Sequence, residues 1–533
     1  MTHSTTSRRP GWRAPARVRP MLFNALLSVG GACAVCSPVL AVPSPTLSGH
    51  LAREAIVDSG PAVGPPNIVM LLMDDLDVSV WQNALERGLL PRIQAEVIDH
   101  GTTFDNMFVA ESMCCPSRAT FLTGEYPHNH GVLQNGGPQG GFGAFKLDGS
   151  TIATSLHAAG YRTALLGKYL NGYGLVHGQH VANYVPPGWD YWRGLFGVGQ
   201  FDYDISVQGT LVHRGHAEAD YQEDVLTGMA LEFLNVQDAR PVFLALTPTA
   251  PHYEGAEGDD DSGKTVRPAP RYADTIKLPS VPPESLPSFN EADMSDKPAF
   301  MQALPLVSRD DQRAGFNSKV AAIRAVDDML GAVVDSLRAS GRLGNTLIII
   351  TSDNGYQYGS HRRLRKTDLY EESIRVPMVI HAPGQITPRR VADSVMNLDW
   401  APTIVDYAAA QPATVFDGMS LRPLLQGGSF VPRKTFLVEH PITGGTHPKQ
   451  YAVRSQDPSV TGDPTGQDVL VFSETLDLDG IMIGVEFYDL AVDPYQLKSL
   501  HENKSPRRQN QMRMLQDLLA SSIHCVGSQC LAL

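Results

Sequence analysis

The sequence predicts an α/β protein: a large domain on a mostly parallel central sheet flanked by helices, then a smaller C-terminal α+β subdomain with an antiparallel sheet. Three observations carry this. Short continuous apolar runs recur between residues 67 and 380, bounded by turn residues, as expected of strands buried on both faces. Segments with helically spaced apolar residues lie between them, the alternation that builds a parallel sheet. Beyond about residue 425 the texture changes to short antiparallel strands followed by one helix. A chain of 533 residues can hold one large domain and a smaller one. Its 42% hydrophobic and 19% charged content is that of a globular protein.

Residues 1–41 read as an export signal. Arg8, Arg9, Arg13, Arg17 and Arg19 form a basic region without acid, an apolar run follows, and Val39-Leu40-Ala41 suits cleavage. Ser7-Arg8-Arg9 admits a twin-arginine route beside the general one. The apolar run is near the ~20 residues that a membrane anchor needs; the expectation is nevertheless removal, no lasting membrane span, and a secreted or periplasmic protein. The net charge is −13, and the five arginines lost with residues 1–41 bring it to −18. That balance argues against nucleic-acid binding.

A linker at 42–66 leads into the large domain, 67–425. Its first strand, at 67–73, ends in Asp74-Asp75. Further strands are expected at 161–166, ending in Gly167-Lys168; at 242–246, leading to His252; at 347–350, leading to Ser352-Asp353-Asn354-Gly355; and at 377–380. Helices are expected at 151–159, 230–236 and 320–337. Ligands gather at the carboxyl ends of such strands, which is where these polar residues fall. Residues 254–316, rich in Pro, Asp, Ser and Glu, read as a substrate-side insertion. The subdomain 426–533 holds strands near 434–438, 450–454 and 469–472, a turn at Asp493-Pro494 and a helix near 509–519.

The densest chemistry lies at 112–124. Pro116 suits a first helical turn and Gly124 a helix end. Cys114 then sits just before a helix start, where N–H groups and the dipole favour an anion. Arg118 lies one turn on and faces the same way. The six cysteines fall in three close pairs. Cys525 and Cys530 suit a disulfide in an exported protein, whereas the adjacent Cys114 and Cys115 are poorly placed to bond each other. Asp74, Asp75, Asp353 and Asn354 supply oxygen donors suited to Ca²⁺ or Mg²⁺. Lys168, His252 and Lys366, the last on an expected helical stretch at 366–372, supply fixed cations and a proton donor for anionic group transfer. Singly, each has an ordinary reading as a cap, turn, core thiol or surface charge. Together they favour an anion-handling site.

These motifs resemble the sulfatase family of the alkaline-phosphatase-like superfamily. The resemblance rests on Asp74-Asp75, Cys114-Cys115-Pro116-Ser117-Arg118 through Gly124, Gly167-Lys168, Pro251-His252, Ser352-Asp353-Asn354-Gly355 and Lys366 with Tyr370-Glu371. It implies that Cys114 is oxidised to formylglycine by a formylglycine-generating enzyme, Cys115 being the variable position. One hydroxyl of the hydrated aldehyde would attack sulfur and release the alcohol, and the second would expel sulfate. Asp74, Asp75, Asp353, Asn354 and, as its oxidised form, Cys114 would hold Ca²⁺ (ahead of Mg²⁺). Arg118 would orient that residue, Lys168 and Lys366 would bind sulfate, and His252 would act as general acid, with Lys366 as a second candidate. Where many members have Gly-Lys-x-His, this chain has Gly167-Lys168-Tyr169-Leu170-Asn171, and Asn171 is the substrate-side candidate in place of the histidine. Arg365 stands where many have glycine. Gly-Lys-Tyr-Leu-Asn and Tyr126-Pro127-His128-Asn129-His130 are similar to the N-acetylglucosamine-6-sulfatase branch, which implies a sulfated glycan substrate. The alternatives are a broad arylsulfatase, a phosphodiesterase or phosphonate monoester hydrolase of the superfamily, and an inactive glycan-binding homologue.

Overall fold

The computed structural model describes residues 64–176, 179–180, 183–254, 266–382, 388–441 and 448–532. The expected export segment and most of the linker lie outside the described residues.

The central sheet has ten strands: β1 (Asn67–Met73), β2 (Thr102–Phe108), β3 (Arg162–Gly167), β4 (Tyr191–Phe196), β5 (Tyr203–Val207), β6 (Thr210–Arg214), β7 (Val242–Thr247), β8 (Thr346–Ser352), β9 (Arg375–His381) and β10 (Arg389–Met396). Their order is β10-β2-β9-β8-β1-β7-β3-β4-β5-β6. The middle five, β8-β1-β7-β3-β4, form an unbroken parallel block. The continuous apolar run of β1 has a direct cause. Ile68, Met70 and Leu72 enter one core, and Val69, Leu71 and Met73 enter the other, because successive side chains point to opposite faces.

Helices cover both faces. α1 (Val78–Glu86) packs on the second core. α2 (Cys114–Thr123) and α3 (Ile152–Ala158) pack on the first. α4 (Gln222–Leu234) and the 31-residue α5 (Arg309–Ala339) return to the second. α6 (Trp400–Tyr407) and α7 (Pro506–Ser522) lie on the first. That core also receives the antiparallel sheet β11 (Thr435–His440), β12 (Lys449–Ser455), β13 (Leu470–Leu476) and β14 (Met482–Asp489), paired in chain order. A disulfide joins Cys525 and Cys530. No helix of the described residues is long and apolar enough to cross a membrane.

The expectations need three corrections. The strand expected at 377–380 is antiparallel to both neighbours, β8 and β2, so the sheet is mixed outside its parallel centre. The long helix starts at Arg309, inside the expected insertion, because the Ser308 hydroxyl accepts the Asp311 N–H and caps it there. Lys366 is not helical. The only helical turn of that region is Glu371–Ile374, and Arg365 and Thr367 on either side of Lys366 have left-handed backbone, φ 74° and 76°.

Candidate active site

β1 and β8 are parallel neighbours in register, with Met73 beside Ser352. The residues that follow each strand are therefore neighbours too, which brings Asp74-Asp75 against Asp353-Asn354. The Asp353 N–H donates to the Met73 carbonyl at 3.0 Å. The Asp75 N–H donates to Asp353 Oδ1 at 3.2 Å, and Asn354 Nδ2 donates to Asp75 Oδ1 at 2.7 Å. All four side chains are fully buried.

Cys114 is the first residue of α2, one position further in than expected, with Met113 as the N-cap. Gly124 ends the helix in left-handed backbone, φ 73°. Cys114 Sγ lies 3.4 Å from Asp74 Oδ1 and 2.7 Å from Lys366 Nζ. Arg118, one turn on, donates from Nε to Asp353 Oδ2 at 2.7 Å and from Nη1 to the Lys168 carbonyl at 2.9 Å. Its Nη2 is 3.6 Å from Asp74 Oδ2. Cys115 turns into the core, and its N–H donates to Asn135 Oδ1 at 2.8 Å.

Lys168, immediately after β3, places Nζ 2.5 Å from Asp74 Oδ2, and Lys366 Nζ bonds Asp75 Oδ1. His252 Nδ1 lies 2.7 Å from the Tyr253 carbonyl. A carbonyl only accepts, so that nitrogen carries the proton and Nε2 faces Asp75 Oδ2, 3.6 Å away. A pocket of about 440 Å³ opens over the cluster, lined by Asp75, Asn135, Asn171, His252 and Lys366, with Leu304, Pro305 and Val307 as an apolar wall. Its volume falls in the ordinary range for ligand sites. A larger crevice of about 540 Å³, bordered by Asp77 and Tyr495, holds none of Cys114, Lys168, His252 or Lys366.

The electrostatics are those of crowded opposite charges. Burial opposes ionisation of Asp74, but Lys168, His252, Arg118 and Lys366 outweigh it and hold the carboxyl well below its ordinary range. Burial likewise opposes ionisation of Asp75, yet Lys366 and His252 bring it to about 2. Asp353 is pushed up to about 6 by burial and by Asp74. Burial works against the ammonium of Lys366, but Asp75, Cys114 and Asp74 keep it charged. Burial brings His252 down to about 4, partly countered by Asp75 and Asp74. Burial, then Asp74, pushes the Cys114 thiol far above its ordinary value.

A hard divalent cation fits this donor set. Among the described residues, Asp75 Oδ2 and Asn354 Oδ1 are buried oxygens with no hydrogen-bond partner, a state that is costly unless something positive meets them. Ligand atoms of Asp74, Asp75, Cys114 and His252 all lie within 4.8 Å of one another. His252 in that group was not among the residues expected to hold metal.

The sequence-predicted residues Asp74, Asp75, Cys114, Arg118, Lys168, His252, Asp353, Asn354 and Lys366 thus meet in one cluster, with Asn171 in the lining of the pocket above it. Asn171 Oδ1 is buried without a partner among the described residues. Two residues were missed. Lys319 Nζ donates to the Asp75 carbonyl at 2.9 Å and sits 3.4 Å from the Tyr356 ring centroid. Asn135 anchors the second residue of α2. Lys319 falls one residue outside the helix expected at 320–337, on the face shared by Phe316 and Ile323, and a lysine on an apolar stripe was the available signal. Asn135 stands before two glycines, and turn chemistry of that kind carries no signal of a helix anchor.

The sulfatase family profile matches residues 66–410. The chain is 32% identical over 507 residues to the N-acetylglucosamine-6-sulfatase of Capra hircus, covering 89% of this chain and 86% of that protein. It is 31% identical over 391 residues to the extracellular sulfatase SULF-1 homolog of Drosophila melanogaster, covering 70% of this chain and 33% of that protein. A solved structure in complex with its substrate D-glucosamine-2-N,6-O-disulfate matches with a TM-score of 0.65 at 22% identity, covering 85% of this chain and 97% of that one, a likeness of fold. The chain belongs to the sulfatase family of sulfuric ester hydrolases.

Proposed function

We propose that the protein is an exported sulfatase that releases sulfate from sulfated sugars such as 6-sulfated N-acetylglucosamine, using Ca²⁺ and a formylglycine made from Cys114. The observation that carries this reading is the setting of Cys114: fully buried at a helix start, between Lys366 Nζ and Asp74 Oδ1. A thiol held neutral by burial and a neighbouring carboxylate is a poor nucleophile, so the position makes chemical sense as the precursor of an oxygen nucleophile. The names of the Capra hircus and Drosophila melanogaster relatives support the sugar and the extracellular setting. A formylglycine-generating enzyme in the host is the partner this reading requires.

Formylglycine would supply a hydrated aldehyde hydroxyl to attack sulfur, and Ca²⁺ on Asp74, Asp75, Asp353 and Asn354 would supply the positive charge that favours that hydroxyl and polarises the ester. Lys168 and Lys366 bind the non-bridging sulfate oxygens, whose charge grows as the bond breaks. Arg118 ties Asp353 to the Lys168 backbone and so fixes the side chain at position 114 against both. His252, its Nδ1–H anchored on the Tyr253 carbonyl, presents Nε2 to the departing oxygen and gives it a proton. The negative charge of a bound ester favours the protonated ring that this step needs. Asn171 faces the substrate from the pocket lining, and the apolar wall of Leu304, Pro305 and Val307 takes the leaving group.

Matured protein is expected to turn over nitrophenyl sulfate and release sulfate from N-acetylglucosamine 6-sulfate, with nitrophenyl phosphate at least about 100-fold slower, a gap of some 3 kcal/mol in the barrier. Cys114→Ala and chelation of the metal should each abolish turnover. Unimpaired turnover in Cys114→Ala, or preference for the phosphate ester, contradicts the reading.

A further inference from the structure

Lys366 is delivered by a tight hairpin whose backbone is unusual. Gln357 pairs with Arg365 and Tyr358 with Leu364, and the Arg363 N–H closes on the Ser360 carbonyl at 2.8 Å. The two central residues, His361 and Arg362, both have positive φ, 52° and 57°. Turns of this kind ordinarily carry Asn-Gly, because left-handed backbone disfavours bulky side chains. Two large residues held there point to a role for their side chains.

Both side chains grip one segment, residues 288–307. Arg362 spreads its guanidinium over three backbone carbonyls: Nε to Glu291 at 2.9 Å, Nη1 to Leu304 at 3.1 Å and Nη2 to Ala292 at 3.2 Å. His361 Nδ1 lies 2.6 Å from Glu291 Oε2, and its ring stacks on Tyr370 at 4.0 Å. Glu291 is itself braced by buried Lys297 at 3.3 Å. The gripped segment ends in Leu304, Pro305 and Val307, the apolar wall of the active-site pocket. One turn therefore fixes both the loop that carries Lys366 and an apolar wall of the same pocket.

We propose that Arg362, seconded by His361, is a positioning residue for Lys366: it sets the ammonium against the sulfate position by locking the hairpin to residues 288–307. The inference rests on the assignment of Lys366 to sulfate binding and also gives the segment before α5 a function.

The test is a double-mutant cycle on matured protein with nitrophenyl sulfate. A variant carrying His361→Asn and Arg362→Gly keeps the preferred chemistry of the turn and so retains the hairpin. Its kcat is expected to fall about 10- to 100-fold, as misplacement of a catalytic group costs, with KM within about threefold. In a Lys366→Ala background the same turn change should lower kcat by no more than about threefold, because both changes act through one ammonium. Arg362→Lys keeps the charge without the fork over three carbonyls and should show the same subadditive loss. It carries the test if the first variant does not fold. Losses that multiply, a turn variant with wild-type kcat, or full activity in Arg362→Lys overturn the inference. An unchanged kcat in Lys366→Ala alone overturns the assignment of Lys366, and the inference with it.

Discussion

Asp75 turns into left-handed backbone (φ 61°) directly after β1 and Asp74, and Lys319 reaches up from α5 to hold its carbonyl. Under the proposed function, in which Asp75 helps hold Ca²⁺, Lys319 orients that ligand without itself touching the ion. Lys319→Met keeps the length and the packing on Tyr356 but removes the donor. Ca²⁺ affinity by calorimetric titration and turnover are both expected to fall about 10- to 100-fold. His130 contributes to stability rather than to the site. Its Nδ1 accepts the Val132 N–H and its Nε2–H donates to Thr120 Oγ1, each at 3.1 Å. Burial, then neighbouring His128, brings its protonation down to about 3. The unfolded chain binds this proton below about pH 6.5 and the fold does not, so the stabilisation is complete above that pH. It is lost at up to about 1.4 kcal/mol per unit as pH falls toward 3. Urea denaturation at pH 7 and pH 4.5 should show a shallower loss in His130→Gln than in the wild type.

At the scale of elements, α2 depends on where it stops. Gly124 has left-handed backbone, and a Cβ there would lie 2.8 Å from Phe416 Cδ1 and 3.0 Å from Ala401 Cβ. Gly124→Ala should therefore cost about 2–4 kcal/mol of stability by urea titration. Start and stop of α2 were legible in Pro116 and Gly124, because capping and turn chemistry are local. Lys366 was misread because the apolar spacing of the region says nothing about a hairpin held by tertiary contacts. Of the central sheet, the strands β2, β4, β5, β6 and β10 escaped notice for a related reason. In β4 the run is broken by Arg193 and Gly194, and in the other four, which lie toward the sheet edges, several residues are polar or part-exposed, so all five lack the continuous apolar run that marked β1, β7 and β8.

For the whole molecule, the parallel block does most to explain the site: five strands running one way put Asp74, Lys168, His252 and Asp353 beyond the same edge of the sheet. That much followed from the polar residues at the ends of the apolar runs. The reversed direction of β9 did not, since strand direction leaves no local pattern. The antiparallel sheet braces the approach to α2. The Glu439 N–H donates to the Ala110 carbonyl at 2.8 Å, and His440 Nδ1 meets Glu111 Oε1 at 2.8 Å. The proposed function depends on a chemical change at one side chain. Peptide mass analysis of residues 111–124, on protein made in its native host and active on nitrophenyl sulfate, is its most direct test. Formylglycine in place of cysteine at position 114, with Cys115 unchanged, is the predicted result; an unmodified Cys114 thiol throughout a fully active preparation would contradict it.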